Sequence, residues 1–62
     1  MTHKRYRILV EINGERVWRM ITLPGIDPLD EISAWIDIEY DCNASPKKAY
    51  LLRDDGIEEQ VL

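Results

Sequence analysis

Cysteine and histidine are almost absent from this chain of 62 residues, which has one of each, Cys42 and His3. A single thiol cannot form an internal disulfide, and sparse cysteine is typical of proteins from a reducing compartment. A structural zinc site needs about four Cys or His ligands. Cys42 follows Asp41, whereas reactive cysteines lie in electropositive surroundings. We therefore expect no enzymatic activity, no cofactor and no zinc site.

Other metal sites also lack support in the sequence. The segment "DIEYD", residues 37–41, places acids at positions 1, 3 and 5 of a calcium-loop pattern. That pattern then requires Gly at position 6 and Glu at position 12, where this chain has Cys42 and Lys48. The sequence therefore predicts no metal site.

Long apolar runs are also missing, because charged residues interrupt every one of them. A secretory signal needs an apolar region of ~7 or more residues, and a membrane helix needs ~20. We therefore expect a cytoplasmic protein without membrane contact.

A length of 62 residues predicts a single domain, since a second one would have no core of its own.

The segment "RYRILVEINGERVWRMITL", residues 5–23, has the pattern of a β-hairpin. Asn13-Gly14 in its middle favours a two-residue type I′ turn, because both residues tolerate positive φ. This turn sets Ile12 opposite Glu15, and directly opposed residues share a face of the sheet. One face should form the core, and it carries Tyr6, Ile8, Val10, Ile12, Val17, Ile21 and Leu23, with Glu15 and Arg19 as polar members.

A helix is expected from about Pro28 to Asp41. Asp27 is a favourable N-cap, and Pro28 suits the first helical position. An apolar stripe at helical spacing should pack on the core face of the hairpin: Leu29, Ile32, Trp35, Ile36 and Tyr40. The segment "WIDIEYDC", residues 35–42, also alternates strictly, which is the pattern of a strand. The cap and the stripe favour the helix.

The last third of the chain predicts two more strands. We interpret "CNASP" (42–46) as a loop, "KKAYLLR" (47–53) as a strand, "DDG" (54–56) as a turn and "IEEQVL" (57–62) as a short strand. The fold expected is α+β, a small antiparallel sheet with one helix packed on one face, in the order β-β-α-β-β.

Charge is segregated along the chain, although the net charge is only −4. Residues 24–42 contain six acidic residues and no basic one. The predicted helix should carry an acidic face made of Asp30, Glu31, Asp37 and Asp41. Such a face is ordinarily solvated. It would also suit a basic groove that normally holds nucleic acid, as in the small acidic inhibitors of phages and other mobile elements.

The second face of the hairpin is the first candidate for a contact surface, and its candidate residues are Arg5, Arg7, Leu9, Arg16, Trp18 and Met20. Trp, Met and Arg are enriched at the centres of protein interfaces. One alternative is that the fold covers this face, for example with the C-terminal segment. Another is nucleic-acid binding, with Arg on phosphates and Trp stacked on a base, although the net negative charge disfavours it.

The function expected is a non-enzymatic protein-protein interaction module, an inhibitor or adaptor, with another protein or a second copy as partner. The alternative is a dimeric nucleic-acid-binding β-ribbon, a regulator or antitoxin-like protein. The passage "ITLPGI", residues 21–26, resembles the strand-Leu-Pro-Gly passage of HicB-type antitoxins. The Gly-Asp-Thr and Glu-Ala elements expected next are replaced by "DPLDEISAW", so no family is assigned.

Overall fold

A four-stranded sheet and one helix form the fold, and the computed structural model describes residues 3–41 and 43–62. The elements along the chain are β1 (Lys4–Ile12), β2 (Glu15–Leu23), α1 (Pro28–Tyr40), β3 (Ala44–Leu52) and β4 (Glu58–Gln60). All paired strands are antiparallel, in the spatial order β2-β1-β3-β4. The predicted small α+β class is confirmed. No helix in these two ranges is long and apolar enough to cross a membrane.

The β1-β2 hairpin has the predicted turn and register. Asn13 and Gly14 have φ angles of 52° and 80°, as a type I′ turn requires. Ile12 pairs with Glu15, and the pairing continues without a shift to Lys4 and Leu23. The sequence prediction for this hairpin is confirmed.

The strand alternative for the second half of α1 is wrong, because residues 36–40 are helical. Asp41 follows the last helical residue in the left-handed conformation, with φ 54° and ψ 42°, a common way for a helix to end. Cys42, which the sequence placed in a loop, lies outside the described residues.

Glu31, and not Asp27, caps the start of the helix. Asp27 occupies the N-cap position, but its side chain makes no capping hydrogen bond. The Glu31 carboxylate instead accepts hydrogen bonds from the backbone N–H groups of Gly25 (2.8 Å), Ile26 (3.0 Å) and Asp27 (3.0 Å). These bonds, led by that of Asp27, hold the pKa of Glu31 below its usual value. In a capping box the third helical residue reaches back to the cap N–H; here the fourth helical residue, Glu31, makes this contact.

The boundaries of β3 and β4 differ from the predicted ones. β3 begins at Ala44, so the second half of the expected loop 42–46 belongs to the strand. The register between β1 and β3 shifts there, because Leu9 pairs with Lys48 while Val10 pairs with Pro46. Such an irregularity accommodates proline, which has no N–H to donate to a ladder. β4 covers only Glu58–Gln60 of the predicted segment 57–62.

The core lies between α1 and one face of the sheet, and its buried members are Tyr6, Ile8, Val10, Leu23, Ile32, Ile36 and Ala49. Two residues assigned to the core from the sequence are exposed instead, Leu29 at 49% and Val17 at 38%. Leu29 lies in the first turn of α1, and Val17 lies on the outermost strand. Periodicity fixes the direction of a side chain, but it does not place a packing partner opposite.

The Tyr6 hydroxyl is buried, and no described group forms a hydrogen bond with it. We expect Tyr6→Phe to raise the free energy of unfolding by about 1 kcal/mol, because it removes an unsatisfied buried polar atom at little cost in shape. Burial, followed by the charges of Glu31 and Glu59, raises the pKa of Tyr6. The wild type should therefore lose stability above about pH 10, and the variant should lose less.

Urea unfolding at neutral and alkaline pH would measure both effects. Tyr50→Phe is the matched control, because Tyr50 is half-buried on the other face of the sheet. That control should change stability by less than about 0.5 kcal/mol. A clear loss of stability in Tyr6→Phe would contradict the prediction and show that the hydroxyl is hydrogen-bonded.

Candidate functional site: the open face of the sheet

The face of the sheet opposite α1, here called the open face, is formed by alternate residues of all four strands. Register pairs place Leu9 between Trp18 and Lys48, and Arg7 between Met20 and Tyr50. The other members, at the ends of the strands and on β4, are Arg5, Glu11, Arg16, Thr22, Ser45, Leu52, Glu58 and Gln60. No described helix or strand lies over this face, so the alternative that the C-terminal segment covers it is wrong. β4 extends the sheet beside β3 instead.

A stacked cluster of two aromatic rings and one guanidinium occupies the centre of the open face. The ring centroids of Trp18 and Tyr50 are 6.2 Å apart, with the rings inclined at 33°. The Arg7 guanidinium carbon lies 4.4 Å from the centroid of Trp18 and 5.3 Å from that of Tyr50. Both distances are within the range of cation–π attraction.

Glu58 of β4 fixes the Arg7 side chain in this position. Arg7 Nε and Nη2 donate to the same carboxylate oxygen, Glu58 Oε1, at 3.1 and 2.8 Å. The pair is partly exposed, so it contributes little to stability. The pair instead orders the Arg7 side chain, because a guanidinium that contacts a carboxylate and two aromatic rings can adopt few rotamers.

Large apolar side chains remain exposed beside this cluster. Trp18 is 46% exposed and Met20 is 63% exposed. Leu9, Tyr50 and Leu52 are half-buried on the same face. Single exposed apolar residues are normal on a protein surface, but a contiguous group of them indicates a contact surface.

Basic residues surround this apolar centre. The open face carries Arg5, Arg7, Arg16 and Lys48 against two carboxylates, Glu11 and Glu58. Glu11 accepts a hydrogen bond from Arg16 Nε at 3.2 Å, and Lys47 Nζ lies 3.9 Å from the same carboxylate oxygen. The face is therefore positive, in a protein whose net charge is −4.

The six candidate residues from the hairpin all lie on the open face, although they do not form one cluster. Arg7, Leu9, Trp18 and Met20 surround its centre. Arg16 lies near the hairpin turn, whereas Arg5 pairs with Thr22 near the opposite end of the sheet. The two arginines therefore flank the aromatic centre from opposite ends.

Tyr50 and Glu58 belong to this site, and sequence reasoning did not assign them to it. The alternation of "KKAYLLR" places Lys48, Tyr50 and Leu52 on one face of a strand. The sequence does not reveal that β3 pairs with β1, and this pairing decides which face of the hairpin Tyr50 joins.

The acidic face of the helix lies on the opposite side of the molecule from Trp18. Asp30, Asp37 and Asp41 are exposed there, together with Ile38, which is 83% exposed. A side-chain hydrogen bond that Asp30 can donate to Asp27 only when protonated, and then the negative charge of Asp27, raise the pKa of Asp30. Glu31 faces the backbone instead, so it does not belong with these exposed acids.

Comparisons with protein-family models, with curated proteins and with solved structures found no match. Within residues 3–41 and 43–62, no group of three or more His, Cys, Asp or Glu side chains is placed to hold a metal ion.

An open cleft of about 590 Å³ lies at one end of the sheet, lined by His3, Arg5, Arg53 and Asp55 among others. Its lining carries both signs of charge, and Trp18 does not belong to it.

Proposed function

We propose that the protein is a non-enzymatic protein-binding module, of the inhibitor or adaptor type, and that the open face is its contact surface. The observation that carries the proposal is the exposure of Trp18 and Met20 on a sheet face that no described element covers. Tryptophan and arginine dominate the residues that contribute most to binding free energy. Methionine adapts to irregular partner surfaces.

The order of the central cluster supports the same proposal. Arg7 is already positioned by Trp18, Tyr50 and Glu58. A side chain that is ordered before binding loses less conformational entropy when the partner arrives. The open face therefore offers rigid aromatic and guanidinium groups next to an adaptable methionine.

The charges around this centre indicate the chemistry of the partner. Because the open face is positive around Trp18 and Met20, it complements an apolar patch surrounded by carboxylates. A single cysteine in the chain favours a reducing compartment as the place of action, which we propose to be the cytoplasm.

Trp18→Ser should abolish capture of the partner, because it removes the largest exposed apolar group of the open face. Tagged protein would be used to capture partners from the native lysate, with and without nuclease and at low and high salt. For a protein retained through nuclease and high salt, the variant should weaken the measured affinity at least roughly 30-fold, which corresponds to ~2 kcal/mol.

Ile38→Ser is the matched control, since Ile38 is an exposed apolar residue on the other side of the molecule. This control should retain the partner, and thermal melts should show that both variants remain folded. Retention of the partner by folded Trp18→Ser would contradict the proposal. An unfolded Trp18→Ser would show that Trp18 is required for the fold, and this would also contradict its proposed role as a contact residue.

A second candidate function is the binding of single-stranded nucleic acid. The position of Tyr50 beside Trp18, among four basic residues, favours it, because bases stack on aromatic rings while cations contact phosphates. Titration with labelled oligonucleotides distinguishes the two functions. Binding to phosphates weakens steeply as salt rises, whereas a Trp-centred protein interface is far less sensitive to salt.

A further inference from the structure

The two edges of the sheet differ in how they are protected against further pairing. β4 has only three residues, Glu58–Gln60, two of which are acidic. Short length and charge are the usual protection of a sheet edge. β2 has nine residues, contains neither proline nor glycine, and pairs with β1 without a bulge. Six consecutive residues of β2, 15–20, are exposed. The outer edge of β2 is therefore long, regular and unprotected.

The sequence of β2 complements itself in an antiparallel arrangement. If two copies of "ERVWR", residues 15–19, pair about Val17, each Glu15 lies opposite Arg19 of the other copy. In the same register each Arg16 lies opposite Trp18 of the other copy, on the open face. Opposite charges and cation–π pairs at directly opposed positions stabilise a sheet. Within the described residues Glu15 has no ion-pair partner in its own chain.

Other symmetric registers lack this complementarity. Pairing about Arg19 would use the whole of β2, but it would oppose the two Arg19 guanidinium groups, and like charges directly opposite are destabilising. Pairing about Trp18 would leave Glu15 opposite Ile21. Arg19 already contacts Tyr40 Oη at 2.6 Å, but its side chain is partly exposed and retains donors for a second carboxylate.

We propose that two copies of this protein associate through β2, antiparallel and centred on Val17, to form one continuous eight-stranded sheet. Alternate residues of an edge strand direct N–H and C=O groups away from the neighbouring strand, and the second copy satisfies them. The overlap of residues 15–19 is short, so the dimer is weak and depends on concentration. The two open faces join in this dimer, which places both Trp18 side chains near the symmetry axis.

This inference concerns an edge of the sheet, so it goes beyond the proposed function and can fail separately from it. Sedimentation equilibrium over a wide concentration range should show a monomer–dimer equilibrium for the wild type. Glu15→Arg should raise the dimer dissociation constant at least about tenfold, because it replaces two attractive pairs by two repulsive ones. Asp37→Arg is the matched control, with the same change of net charge on the outer side of α1, and it should leave the equilibrium unchanged.

Disulfide cross-linking tests the register. Residues opposed without hydrogen bonds between them have Cα atoms roughly 4.5 Å apart, which is within the range that a disulfide spans. In a Cys42→Ser background, Val17→Cys should form a covalent dimer on mild oxidation, whereas Arg19→Cys should not. Cross-linking of Arg19→Cys alone would overturn the proposed register. A wild type that stays monomeric at all concentrations, or a dimer that is insensitive to Glu15→Arg, would overturn the proposal itself.

Discussion

Ile36→Asp should leave the protein unfolded at room temperature. Ile36 is 1% exposed and packs in a core that has only seven buried residues within the described part of the chain. The substitution places a carboxylate there without a partner and removes apolar burial, at a cost above about 4 kcal/mol. A single core in a chain this small supplies roughly 3–5 kcal/mol of net stability. The expected loss of free energy is therefore about as large as the whole net stability of the fold.

Ile38→Asp provides a control of the same chemistry on the same helix. Ile38 points to solvent, so the substitution should change stability by less than about 1 kcal/mol. Circular dichroism and a thermal melt of both variants measure the difference. A cooperative melt of Ile36→Asp near the wild-type temperature would show that this side of α1 is not the one that packs on the sheet.

Glu31→Gln should lower the melting temperature by several degrees, although it changes a single atom. The carboxylate accepts three backbone hydrogen bonds at the start of α1. An amide has only one oxygen acceptor and no charge to interact with the positive end of the helix. The substitution therefore weakens the connection between β2 and α1, as well as the helix itself.

The effect of Glu31→Gln should depend on pH with a definite sign. The pKa of Glu31 in the folded protein lies below the ordinary value of 4.5. A group of this kind contributes its full stabilisation above the pKa of the unfolded chain, and this contribution is lost as the pH falls through the folded pKa. The melting temperatures of wild type and variant should therefore differ at neutral pH and converge in acid.

Glu39→Gln removes the same charge from the same helix and serves as the control. The nearest cation to Glu39 within the described residues is Arg19, with Nη2 and Oε1 3.9 Å apart, so the control should change the melting temperature little. Equal shifts in both variants would show that net charge, and not the capping bonds, is responsible.

Local signals in the sequence were sufficient for the hairpin and the helix. Asn13-Gly14 specifies a turn with positive φ at both positions, and the turn then fixes the register through Lys4 and Leu23. The helix is harder to predict from the sequence, because apolar and acidic residues alternate over residues 36–41, as they do in a strand. The decisive information lies earlier in the chain, because Asp27, Pro28 and the apolar stripe that begins at Leu29 favour a helix.

Contacts between distant parts of the chain account for the roles of Tyr50 and Glu31, which could not be predicted from the sequence. The position of Tyr50 on the open face depends on the pairing of β1 with β3, which are separated in the sequence by residues 13–43, half of the chain. The capping role of Glu31 depends on the path of the backbone at Gly25, where φ is 82°. From the sequence alone Glu31 is placed on the acidic face of the helix, because a charge pattern does not show whether a carboxylate points to solvent or to the backbone.

Opposite charge on the two sides of the sheet gives the protein an electric dipole moment directed across the sheet. The positive end lies on the open face around Arg7 and Arg16, and the negative end lies on the outer side of α1 around Asp37. In the electric field of an acidic partner this dipole experiences a torque, which turns the open face towards the partner before contact. The protein would thus approach such a partner in the binding orientation more often than chance, and dissolved salt would remove this advantage by screening the field.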